Sequence, residues 1–170
     1  MFQTFDAPRK TGAIASRLER LRALMASRKL DALIVPRADL HQGEYVAPCS
    51  ERLRWLTGFS GSAGLAAITG KSAALLVDGR YTVQARQEVD SALFRILQLP
   101  DKHISDWLEG ELTRGTVVGF DPWLHTVAEI DQLTDALAPA EIRLRPTSRV
   151  RCHARSVAAI VGGVRKRRGH

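Results

Sequence analysis

Residues 149–170 contain no acidic side chain but seven basic ones: Arg149, Arg151, Arg155, Arg165, Lys166, Arg167 and Arg168. The formal net charge of +7 therefore resides in that tail, because residues 1–148 carry 18 charges of each sign. A neutral body counts against the broad basic face of a nucleic-acid-binding domain. The tail by itself suits either non-specific phosphate contact by counterion release or a solvated, disordered terminus.

Cysteine is scarce. Cys49 and Cys152 give neither a disulfide framework nor metal-ligand spacing, so both read as free thiols suited to a reducing compartment. No H-E-x-x-H or C-x-x-C motif occurs. No apolar run approaches the roughly 20 residues of a membrane span. The start, Met1-Phe-Gln-Thr-Phe-Asp-Ala-Pro8, lacks the basic and apolar regions of a signal peptide. These absences together predict a cytoplasmic protein with no membrane partner.

What is present is ordinary for one globular domain: 170 residues, 45% apolar and 25% charged. Residues 1–12 read as a loose arm. Ile14, Leu18, Leu21 and Leu24-Met25 recur at helical spacing, predicting a helix over 13–28. Residues 31–36 read as a buried strand closed by Pro36 and residues 51–56 as a short helix. Residues 63–69 and 73–77 flank Gly70-Lys71-Ser72 as a hairpin. Beyond them the pattern predicts a helix over 81–89, a sheet segment over 93–97 and a helix over 103–112. A strand over 116–120, a helix over 127–137 and a last strand at Ile142 and Leu144 complete it. The expected fold class is α/β, one domain with a mixed sheet flanked by helices.

Gly58, Gly61 and Gly64 lie within seven residues, which disfavours a helix and predicts a loop. Gly64-Leu-Ala-Ala-Ile-Thr-Gly-Lys-Ser72 superficially matches a phosphate-binding loop. Five residues separate its glycines where the motif needs four, and no helix follows. Lys71 therefore reads as a hairpin-turn residue. Ser60 and Ser62 lack the G-x-S-x-G frame of a nucleophile elbow and read as loop hydroxyls bonding the backbone. His41 and Glu44 are three apart, but one pair makes no catalytic metal site, and His103 and His125 add no complementary spacing.

Three blocks stand in a distinctive order: Asp39-Leu-His-Gln-Gly-Glu-Tyr-Val-Ala-Pro48, then Ser50-Glu-Arg-Leu-Arg-Trp-Leu-Thr-Gly-Phe-Ser-Gly-Ser-Ala-Gly64, then Asp78-Gly-Arg-Tyr-Thr-Val-Gln-Ala85. Together they resemble the amino-terminal domain of Xaa-Pro aminopeptidases (aminopeptidase P), shared more loosely with prolidases and creatinases. The resemblance runs from about Ala13 to about Pro146. It divides the chain into an arm (1–12), the creatinase-type domain (13–148) and the basic tail (149–170). Leu40 departs from the small or acidic residue usual at its position; cysteine at position 49 occurs in some members.

The resemblance implies chemistry elsewhere. In full-length members two metal ions, usually manganese, sit on a carboxy-terminal catalytic domain, held by two aspartates, a histidine and two glutamates. A bridging hydroxide attacks the bond before a proline in second position. None of those ligand motifs occurs here, so no cofactor and no catalytic residue is expected in this chain. The amino-terminal domain helps to shape the substrate entrance and makes oligomer contacts. The residues implied for the entrance are Asp39, His41, Glu44, Tyr45, Arg52, Arg80 and Tyr81, with the loop glycines Gly58, Gly61 and Gly64. Arg54 rivals Arg52. An arginine suits a peptide carboxylate; an ion pair is the alternative reading for Arg52 and Arg80.

The leading expectation is thus the amino-terminal domain of a metal-dependent Xaa-Pro aminopeptidase, truncated or frameshifted before its catalytic domain and inactive alone. The alternatives are a stand-alone module pairing with itself or with a full-length paralogue, and nucleic-acid binding through the basic tail.

Overall fold

The computed structural model describes residues 11–39, 41, 43 and 45–147. Of the expected arm over residues 1–12, residues 1–10 lie outside the described residues, as does the basic tail, while Thr11 and Gly12 already belong to the first helix.

Helix α1 spans Thr11–Ser27, and its buried Ile14, Leu18, Leu21 and Met25 form one stripe. Strand β1 (Ala32–Pro36) follows, then the short helix α2 (Arg52–Thr57). Strands β2 (Gly64–Thr69) and β3 (Ala73–Asp78) form the expected antiparallel hairpin. At its turn the Thr69 hydroxyl accepts from the Lys71 and Ser72 amides, so Lys71 is a turn residue, as its spacing predicts. Helix α3 (Thr82–Glu88), strand β4 (Arg95–Leu99), helix α4 (Ile104–Glu111), strand β5 (Val117–Phe120), helix α5 (Val127–Leu137) and strand β6 (Arg143–Pro146) complete the order.

The pattern locates every α-helix and strand of the described residues, with small shifts, but not the single-turn 3-10 helices Pro48–Ser50, Gly79–Tyr81 and Ala138–Ala140. Strand β4 begins at Arg95 rather than Leu93, because the Leu93 and Phe94 amides both close a turn on the Asp90 carbonyl. Ile142 precedes β6 and packs in the core beneath it.

The six strands form one mixed sheet in the order β4-β3-β2-β1-β5-β6. β1 pairs antiparallel with β2 and parallel with β5; β4 and β6 join in parallel at the edges. Alternate residues of the central strands feed two cores. Leu33, Val35, Ala66, Ile68, Leu75 and Val77 pack beneath α1, α2 and α3. Ala32, Ile34, Ala67, Ala74 and Leu76 pack beneath α4 and α5. Strands buried on both faces read as continuous apolar runs, which is why Ala32-Leu-Ile-Val35 and Ala73-Ala-Leu-Leu-Val77 show no polar alternation.

Candidate functional site

The chain leaves β1 at Pro36, crosses the first block and enters α2, which ends at Gly58. Gly58 has φ +84° and donates its amide to the Arg54 carbonyl at 2.8 Å, a left-handed helix terminus that favours glycine. The chain then reverses around Phe59, whose ring is buried. A Cβ on Gly61 would stand 2.2 Å from Phe59 Cζ, and one on Gly64 3.1 Å from both the Phe59 ring and Leu53. The three glycines thus let the loop close over an aromatic core residue.

Loop hydroxyls fasten the blocks together, and here the structure corrects the expectation that they bond the backbone. Ser60 donates its amide and its hydroxyl to the two Glu88 carboxylate oxygens, at 2.7 and 2.6 Å. Gln84 donates to both Ser60 Oγ and Glu88. Ser62 Oγ is hydrogen bonded to the Tyr81 hydroxyl, whose ring meets Phe59 edge-on at 6.0 Å between centroids. The partners are side chains because α3 runs beside the loop, an adjacency that only the fold creates. Burial pushes the Glu88 pKa up, but the hydrogen bonds from Ser60 and Gln84, aided by the Arg54 charge, hold it below the ordinary value. Glu88 and Gln84 were not foreseen; their i, i+4 spacing facing a serine loop was the available signal.

In the first block, Asp39 is buried three residues beyond β1 and its Oδ1 accepts from the amides of His41 (2.9 Å) and Gly43 (3.2 Å). It shapes the loop. His41 is exposed, and Tyr45 is 86% exposed. Glu44 lies outside the described residues. Arg37 links this segment to the second block by donating to the Ser62 carbonyl at 3.1 Å.

In the third block, Arg80 pairs with Asp78 at 3.1 Å and sits 5.6 Å from the Tyr81 ring centroid. The Arg80 amide and guanidinium hold the Asp78 carboxyl below its usual range; Asp78 raises Arg80 in turn. The structure therefore places Arg80 in the ion pair given as its alternative role.

The two arginines of α2 are separated sharply. Arg54 is exposed and pairs with Glu51 at 3.3 Å. Arg52 is 4% exposed, and its Nε and Nη1 have no hydrogen-bond partner.

A cavity of about 520 Å³ opens on the opposite face of the sheet, bounded by Ile34, Pro36, Leu76, Ile104, His125 and Leu133. Burial depresses the His125 pKa, against the opposing pull of Glu129 and Asp121, and its Nε2 lacks a hydrogen-bond partner. Among the described residues no three His, Cys, Asp or Glu side chains gather to hold a metal. The donor set for the family's two-metal centre does not fit these residues, and no metal step is assigned to them.

Residues 17–157 match the model of the Creatinase/Prolidase N-terminal domain. The chain belongs to that family. It is 45% identical over 125 residues to a probable Xaa-Pro aminopeptidase P of Aspergillus niger. Its structure resembles that of an X-prolyl aminopeptidase from Caenorhabditis elegans, described as a cytosolic enzyme with a di-nuclear active site. The TM-score is 0.72 at 34% identity, covering 78% of this chain and 24% of that one. It also resembles the N-terminal domain of the cytoplasmic peptidase PepQ from Mycobacterium tuberculosis, with a TM-score of 0.60 at 28% identity, covering 78% of this chain and 93% of that one. The creatinase-type domain spans only a fraction of its curated relatives: the alignments cover 72–76% of this chain but 19–20% of those proteins. No helix among the described residues is long and apolar enough to cross a membrane.

Proposed function

We propose that this creatinase-type domain forms the entrance wall of a metal-dependent Xaa-Pro aminopeptidase and does not hydrolyse peptides by itself. The observation that carries this reading is the union of the second block with the third through Ser62–Tyr81 and with the end of α3 through Ser60–Glu88. It sets the Gly58–Gly64 loop and the Arg80-Tyr81 turn side by side on one rim, next to the loop that begins at Asp39. Asp39 and the glycines shape that rim. His41 and Tyr45 are the exposed side chains offered to a peptide with proline second; Tyr81, the Asp78-paired Arg80, the buried Arg52 and Glu44 belong to the same proposed set. The two metal ions belong to the longer enzyme's catalytic domain. The compartment is the cytoplasm, as stated for the C. elegans relative.

The test is hydrolysis of an Xaa-Pro peptide with manganese. The purified chain is expected to show none, and replacing the matching domain of an active relative with residues 13–148 is expected to preserve turnover. Activity that stays with the isolated chain through repurification, or a folded but dead chimera, would overturn the reading.

A second reading is an assembly module that pairs with a copy of itself or with a longer family member. Trp123 (49% exposed) and Val127 (78% exposed) favour it, being exposed apolar residues four apart in the sequence, the second of them opening α5. Light scattering of the wild type beside Trp123→Ser tests it: a dimer lost in the variant supports assembly.

A further inference from the structure

The cavity on the α4 and α5 face has an aliphatic wall of Ile34, Leu65, Leu76, Ile104, Ile130 and Leu133. It opens at the edge of the sheet where β1 ends and β2 begins, beside Pro36 and Gly64. Its volume of about 520 Å³ lies in the range of ligand pockets.

The described chain leaves the fold at that same edge. β6 runs parallel to β5, and β5 to β1, so Pro146 stands level with Phe120 at the end where Pro36 closes β1. Thr147 donates its amide and its hydroxyl to the Phe120 carbonyl, at 2.7 and 3.0 Å. The Phe120 ring in turn meets the ring of His125, a cavity residue, edge-on at 6.0 Å between centroids. From β6 the strands that floor the cavity, β1 to β3, are two to four places along the sheet, which is about 10 to 19 Å at the usual strand spacing.

Charge divides the two faces of the sheet. Asp106, Glu109 and Glu111 on α4 and Glu129, Asp131 and Asp135 on α5 are all exposed, and neither helix bears a lysine or an arginine. On the other face, α1, α2 and α3 carry six arginines against two glutamates. The tail that follows Thr147 is basic throughout except for one uncharged stretch, Ser156-Val-Ala-Ala-Ile-Val-Gly-Gly-Val164. Arg149, Arg151 and Arg155 precede that stretch, and Arg165, Lys166, Arg167 and Arg168 follow it.

We propose that Val157-Ala-Ala-Ile-Val161 of the chain's own tail seats in this cavity, with the basic residues on either side of it lying along the acidic face of α4 and α5. The nine residues 148–156 join Thr147 to the segment. Extended, they reach about 30 Å, more than the distance required. A segment tethered this closely is presented at roughly millimolar concentration, so modest apolar contact holds it. Exposed ion pairs add little affinity; the acidic face selects this side of the sheet over the arginine-rich one. The seat stands without the entrance reading.

Nuclear Overhauser spectra of the full chain, labelled at its isoleucine, leucine and valine methyls, test the seat. Ile160 methyls are expected to show cross-peaks to Ile104 and Leu133 at low salt, and none to Leu18 or Leu21 beneath α1. Ile160→Asp is expected to shift the Ile34, Ile104 and Leu133 methyls and to leave Leu18 and Leu21 unmoved. Sodium chloride at about 1 M, where the screening length falls to about 3 Å, is expected to weaken the Ile160 cross-peaks. Absent cross-peaks, cross-peaks to the α1 face, or cavity methyls that ignore Ile160→Asp overturn the proposal. Cross-peaks that arise only between differently labelled copies put a second molecule's tail in the cavity and overturn it too. Cross-peaks indifferent to salt overturn the part given to charge. If the variant does not fold, the wild-type cross-peaks decide.

Discussion

Ser60 and Glu88, 28 residues apart, are joined by two hydrogen bonds in which the serine amide and hydroxyl reach opposite oxygens of one carboxylate. This fork fixes the glycine loop to the last turn of α3. It also makes the loop sensitive to pH.

The Glu88 pKa is lowered in the folded state from an ordinary value of 4.5. The stability it confers is full above that value and is lost as pH falls through the lower folded value. Glu88→Gln is expected to cost about 1 kcal/mol near neutrality, the solvent still reaching the group having been discounted. The gap between wild type and variant should close in acid. Thermal melts across the acid range check it; a gap independent of pH refutes the assignment.

His125 gives a second pH dependence, on the other face. Burial lowers its folded pKa from the ordinary 6.5, so the unfolded chain takes a proton first. Stability is therefore full above 6.5 and declines as pH falls from there to the folded value. His125→Phe, which keeps a ring against Phe120, is expected to flatten that decline. Imidazole NMR titration should find His125 below its ordinary pKa.

Gly61 faces the buried Phe59 ring. Gly61→Ala is expected to cost about 1–3 kcal/mol through overpacking, because its Cβ would stand 2.2 Å from Phe59 Cζ. Gly70→Ala, with nothing within 4 Å, is the matched control and should be close to neutral. Urea midpoints of the two variants settle it.

Ser62 and Tyr81 tie the second block to the third. Ser62→Ala and Tyr81→Phe should each cost about 0.5–1.5 kcal/mol. Their double variant should cost less than the sum, since both remove one bond. Full additivity would mean that the two hydroxyls act separately.

Arg52 and Arg54 show where sequence reading stops. Both belong to Glu51-Arg-Leu-Arg54, and the motif alone ranks them without separating their environments. Three-dimensional packing turns one toward Glu51 and solvent and sinks the other. The same holds for Arg80, legible as part of a block but not as the partner of Asp78. By contrast, the helical stripe of α1 and the Gly70-Lys71 turn of the hairpin were legible because spacing and turn chemistry are local properties.

By itself the sequence determined the element order, the glycine loop and the three blocks that mark the family. Each depends on periodicity, backbone preference or short-range order along the chain. Only the tertiary structure decided that β1 lies between β2 and β5, that Ser60 meets Glu88, and that Arg52 is buried without a described counter-charge. Those outcomes depend on which distant segments share one sheet and which face each helix covers. Long-range pairing and desolvation set them, and neither is written in the spacing of nearby residues.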